Sequence, residues 1–258
     1  DSRKRGKSME RKKEENGKLN TKLIVINMFF SIVSFCLNLC IGFFIAPYIT
    51  KQFGSEAYGF VKLSNDFTSY ASLFSIALNS MACRFLMMES TKGNIVDARK
   101  YYSSIFLANV VLTAILSIPS FVCVYFLENF LEIPVVLVLE VKLTFAITFV
   151  AFLLNLVGTI YGNCYYLSNK LYLSSIRDSV INVVKVVCII CLFIFAKPRI
   201  VYVALGGGIA TVLAIVYNVY FTRKLTPEYR FIFSYFEWKK LWTVLSAGIW
   251  NSITKLSQ

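Results

Sequence analysis

Histidine is missing altogether from the 258 residues, and Asp and Glu together number only 14 against 27 Lys and Arg. Without an imidazole the chain cannot assemble Ser-His-Asp or Cys-His nucleophilic sites, and its seven cysteines lose their usual partner in a metal centre. Cys36 and Cys40, and Cys188 and Cys191, have helical spacing but no acidic neighbour. They read as small packing residues, so neither metal nor cofactor is expected. Gly206, Gly207 and Gly208 are not followed by the Lys-Ser/Thr of a phosphate loop, and close helix packing explains them better. The thin supply of carboxylates also argues against a membrane glycosyltransferase or polymerase, which needs outer-surface acids. Glu56 stands alone, and Glu128, Glu132 and Glu140 around Pro134 read as solvated surface charge. The chain is expected not to be an enzyme.

Charge is absent on a larger scale too. Residues 23–50, 101–127, 143–169 and 200–222 contain no Asp, Glu, Lys or Arg, and a span of the hydrocarbon core needs roughly 20 such residues. Residues 67–83 become long enough if 63–66 form a polar outer end, and 179–196 if Lys185 is tolerated inside. Six spans follow, with 57% of the chain apolar and only 16% charged. From Leu241 the pattern starts again, and a seventh span is expected to be cut off at Gln258. The expected fold class is an all-α integral membrane protein: a six-helix transmembrane lobe plus the start of a seventh helix. The expected division is a disordered basic tail over 1–22, the lobe over 23–222, a linker over 223–240, and the start of a second lobe over 241–258.

What is plentiful is basic charge, a formal +13, and it lies in the gaps between spans. The tail before Leu23 holds nine Lys and Arg, and alternate gaps after it hold four, two (three with Lys185 of the next span) and five; the intervening gaps hold two, one and two. That asymmetry is the signature of topology rather than of nucleic-acid binding, and it places the N-terminus in the cytoplasm of a multi-pass plasma-membrane protein. The tail would lie against anionic lipid headgroups of the bilayer. An apolar run as long as 23–46 exceeds a signal-peptide core and reads as a retained first helix.

Several spans carry polar stripes at steps of three and four. Asn27, Ser31, Ser34, Asn38 and Gly42 form one, and Asn65, Thr68, Ser72, Ser75 and Asn79 another; Thr144, Thr148, Asn155 and Gly158 continue the theme. Close helix contacts account for small residues, whereas amides such as Asn38, Asn79 and Asn182 suit a hydrated cavity. Charges inside spans weigh more, because each costs roughly 2.5–3.5 kcal/mol at the midplane. Lys185 shares a stripe with Asp178 and Asn182, about two turns from the cytoplasmic end of its expected span, so snorkelling competes with a cavity role. Lys62 and Asp66 are spaced to pair at the outer end of the second span. Arg84 closes its inner end, and Lys255 lies deep in the seventh helix. Together Lys185, Lys255 and Arg84 describe a cationic lining for a phosphate or diphosphate group.

The stretch from Ile45 to Leu63 (IAPYITKQFGSEAYGFVKL) resembles the junction of the first two helices in Wzx-type polysaccharide flippases of the multidrug/oligosaccharidyl-lipid/polysaccharide transporter superfamily. Asn79 to Phe85, the run YYLSNKL from Tyr165, the junction FTRK from Phe221, the run WKKL from Trp238, and Gly248 extend the resemblance in order. It implies a two-lobe transporter, of which this chain is the N-terminal half, rocking by alternating access around a central cavity. It also implies the substrate, an undecaprenyl-diphosphate-linked oligosaccharide moved from the inner to the outer leaflet for surface polysaccharide biosynthesis. The partners implied are that lipid, the bilayer and the second lobe of the same chain. The close alternative is a cation-coupled multidrug antiporter of the same superfamily, which commonly couples transport through a carboxylate in the middle of a helix. The first span has none.

Overall fold

The computed structural model describes residues 2–256 except 197 and 198, and leaves the side chains of 2–20, of Ala77 and of 249–256 undescribed. Nearly all of the tail expected over 1–22, and Lys255, therefore lie among residues whose side chains are not described. All the regular structure described is helical. The chain runs through α1 (Ser2–Asn79, its side chains described from Thr21), α2 (Ala82–Thr91), α3 (Ile95–Tyr125), α4 (Leu127–Phe130) and α5 (Val138–Gly158). A 3-10 turn (Thr159–Gly162), α6 (Asn163–Leu167), α7 (Tyr172–Phe195), α8 (Val201–Leu225), a second 3-10 turn (Phe233–Tyr235) and α9 (Trp238–Leu256) follow.

Five helices among the described residues are long and apolar enough to cross a membrane, where the sequence leads one to expect six spans. The difference lies in α1. Residues 51–62 form no separate loop: the helix runs through them, broken only at Gly54, whose φ of 84° and ψ of 163° are open to glycine and to almost nothing else. The two halves run in opposite directions. Asn27 Oδ1 accepts from the backbone N–H of Tyr172 at the start of α7, and Phe53 packs edge-on against Phe193 at its end. Past the break, Phe67 meets Phe145 early in α5, and Asn79 reaches Asn109 in the first half of α3. One helix by hydrogen bonding thus supplies two antiparallel legs.

Two apolar clusters gather at opposite ends of the bundle. Ile49, Phe60, Leu127, Phe145, Phe193 and Ile200 form one, and Leu86, Tyr101, Ile105, Ile160, Tyr229 and Val244 the other. Every gap assigned outside from the basic-residue count adjoins the first cluster, and the inside gaps that follow the tail adjoin the second. The end charges are paired locally. Lys142 bonds Glu128 at 2.6 Å and Arg199 approaches Glu140 at 3.8 Å, while at the other end Lys100 bonds Glu237 at 2.9 Å.

Between the ends the helices present apolar side chains outward. Only 11% of the most apolar window of α3, and of α7, is buried, and Phe43, Phe121 and Ile194 are each more than 70% exposed. Such a surface needs hydrocarbon around it. Inside, glycine sets the helix spacing. A Cβ on Gly206 would lie 2.7 Å from Ile189, so α8 can approach α7 only because none is there. Gly158 does the same for α5 against Ile215 of α8.

Candidate functional site

A cavity of about 270 Å³ opens midway along the bundle between the second leg of α1 and helices α5, α7 and α8. Asn65 and Thr68 line it from α1, Thr148 and Asn155 from α5, Thr211 from α8, and Lys185 from α7. Each helix contributes for a local reason. Two polar stripes visible in the sequence face one another here, and Gly207 and Gly208 add no side chain on the α8 wall. Helix α7 begins at Tyr172, seven residues earlier than the charge-free run suggests, so Lys185 lies thirteen residues in, roughly 20 Å along the axis. That depth favours the cavity over the interface as the place for its charge. Among the described residues no carboxylate pairs with Lys185, and the cavity wall contains none. The site is a polar, cationic recess suited to an anion.

The other residues singled out in the sequence lie elsewhere. Asn182 donates from Nδ2 to Oδ1 of Asn38 at 2.6 Å, and Asn38 donates to the carbonyl of Ser34. This amide bridge ties α1 to α7 on an open flank, outside the cavity wall. Asn79 and Asn109 exchange two hydrogen bonds of 2.8 and 3.0 Å and lock α1 to α3. For all three asparagines the packing reading prevails, because an amide in hydrocarbon is stabilised by a second amide. Lys62 and Asp66 do not pair; both are exposed, and a lysine four residues before an acid is the weaker orientation on a helix. Arg84 is exposed on α2 at the end of the bundle away from the cavity. Much of the second stripe satisfies itself: Asn65, Thr68 and Ser72 donate to carbonyls of their own helix three or four residues back.

One polar cluster is hidden in the sequence because Arg177 falls in the gap between the runs 143–169 and 179–196. Its guanidinium holds Asp178 at 2.8 Å and donates to Oδ1 of Asn218 at 2.6 Å, and it lies 5.7 Å from the ring centre of Tyr165. Tyr165 donates to the same Asn218 oxygen at 2.9 Å. Asp178, expected on one stripe with Lys185, is thereby committed to Arg177, and α6, α7 and α8 are pinned together. The signal available in the sequence was the amide of Asn218 opposite an arginine, both within reach of an aromatic.

No family model matches the chain, and no solved structure matches it. It is similar, at 27% identity over 231 residues, to a protein of Bacillus subtilis (strain 168) named "Uncharacterized membrane protein EpsK". The similarity covers 90% of this chain and 46% of that protein, so the chain spans about half the length of the relative it matches. The chain is an all-α, multi-pass membrane protein. Its five long apolar helices and the membrane relative agree on that point, and the Lys185 cavity lies within the membrane-spanning part of the bundle.

Proposed function

We propose that this chain forms one half of a transporter that flips a diphosphate-linked oligosaccharide lipid from the inner to the outer leaflet. The observation that carries the reading is Lys185: an unpaired ammonium at mid-bundle, in a cavity otherwise lined by amides and hydroxyls. An anionic headgroup would supply the missing counter-charge, and Asn65, Asn155 and the threonines offer donors and acceptors for phosphate oxygens or sugar hydroxyls. No bond need be made or broken. The likeness of the loop and linker segments to polysaccharide flippases supports the same reading, with a second lobe completing the central path by alternating access. A cation-coupled antiporter of drugs, by contrast, would want a carboxylate in the wall.

The test is export of surface polysaccharide in cells whose own copy is replaced by variants, together with transbilayer movement of a fluorescent diphosphate lipid in reconstituted vesicles. Lys185→Ala should abolish both while insertion and abundance persist. Lys185→Arg should keep part of the activity, and Lys185→Glu should be the most damaging because it repels the diphosphate at short range. Normal export by the alanine variant would refute the cationic-cavity mechanism. Loss of drug efflux with polysaccharide unchanged would favour the antiporter.

A further inference from the structure

We infer that a second anion site, separate from the Lys185 cavity, lies at the opposite-facing end of α8 and takes a phosphate group carried on a membrane lipid headgroup. A recess of about 360 Å³ opens there, lined by Tyr102, Tyr161, Arg223, Tyr229, Arg230 and Phe231, among others. It is built by the segment that follows α8. That segment is strapped to the first turns of α3: Arg99 donates to the carbonyl of Glu228 at 2.7 Å, Ser103 accepts from the N–H of Ile232, and Ser104 accepts from that of Glu237. The strap closes over Tyr229, which is 3% exposed and stacks at a tilt on Tyr102, and it brings Arg230 to the same recess as Arg223.

Three features point to a ligand. Arg223 and Arg230 both line the recess, and among the described residues neither belongs to any ion pair. Tyr102 is a mostly buried ring on the recess wall, and its hydroxyl, which has no hydrogen-bond partner among the described residues, is not enclosed by the protein. An open, unpartnered hydroxyl beside two arginines is a donor free to meet a ligand oxygen. The depth is also right. Tyr102 and Thr222 stand at the ends of the apolar runs of α3 and α8, with the arginines just beyond, the level at which headgroup phosphates lie. Two guanidiniums and a phenol give a planar, multidentate donor set for phosphate oxygens, with aromatic walls to shed water. By the basic-residue count this end faces the cytoplasm, whose leaflet is the anionic one.

The full-length protein in detergent would be titrated with short-chain phosphatidylglycerol, and separately with inorganic phosphate and pyrophosphate, bound lipid being read by native mass spectrometry. The lipid is expected to bind saturably. Arg223→Gln with Arg230→Gln should weaken it at least about tenfold, the worth of one charge-assisted contact, and Tyr102→Phe should weaken it about three-fold. Lys224→Gln, which removes a neighbouring charge seated over Tyr220 outside the recess, should leave affinity within about two-fold and controls for general electrostatics. Saturable binding of pyrophosphate with the same variant pattern would support the site and assign recognition to the phosphate alone. Lipid binding without it would assign recognition to the membrane-borne headgroup. Equal affinity in the double-arginine variant and the wild type, with unchanged thermal melting, would overturn the inference. Binding is measured without transport, so this result stands or falls apart from the Lys185 mechanism.

Discussion

At Gly54 the backbone occupies a region that any Cβ disfavours by about 1–3 kcal/mol, although no atom stands within 4 Å of where that Cβ would go. Gly54→Ala should therefore lower the melting temperature in detergent through conformation alone. Gly59→Ala, five residues on, in open space and at ordinary helical angles, should be neutral or stabilising by up to about 1 kcal/mol. Lys185 behaves in the opposite sense. An ammonium held without a counter-ion inside a span is a burden on folding, so Lys185→Met should raise thermal stability, on the scale of about 1–3 kcal/mol, while removing transport. Unfolding in detergent beside the export assay would check both halves. A variant that is less stable and still active would mean that Lys185 is a packing residue.

Among the elements, the contact of α1 with α3 rests on the reciprocal Asn79–Asn109 amides. A double-mutant cycle with Asn79→Ala and Asn109→Ala should give a coupling of about 0.6–1.7 kcal/mol, the range for hydrogen bonds between membrane helices. Much of this level was legible in the sequence. Charge-free runs placed the long helices to within a few residues wherever a charge lay near the true end, as at Arg223 in the last turn of α8. They failed where helix and span are different things. Residues 51–62 carry Lys51, Glu56 and Lys62 and look like a loop, yet helical hydrogen bonding tolerates charge outside hydrocarbon, and only the glycine breaks it. The start of α7 was missed for the same reason, and with it the bonding of Arg177 to Asn218. Of the candidate site, Lys185 was found because a lone charge in an apolar run is conspicuous. Asn155 and Thr211 were harder, since an amide or hydroxyl in a span serves packing as well as solvation, and spacing alone cannot separate the two.

For the molecule as a whole, the Lys- and Arg-rich gaps after the tail fall at one end and the poor gaps at the other, so sidedness can be tested with few sites. Cysteines introduced at Ser55 and Glu132 should react with a membrane-impermeant maleimide in intact cells, and cysteines at Gly93 and Pro227 only after lysis. All four positions are exposed at their ends of the bundle, so failure to label reports the membrane and not burial. The reverse pattern would invert the orientation. The placement of the two apolar clusters has a further consequence. Most membrane bundles are dry at the centre and wet at the rims, but here the tight packing is at the rims and the polar recess is between them. Water held beside Lys185 would reach backbone amides in the middle of α7 and α8 that lipid otherwise shields. In deuterated buffer those central amides should exchange sooner than amides nearer the helix ends, turning the usual protection gradient of a transmembrane helix inside out.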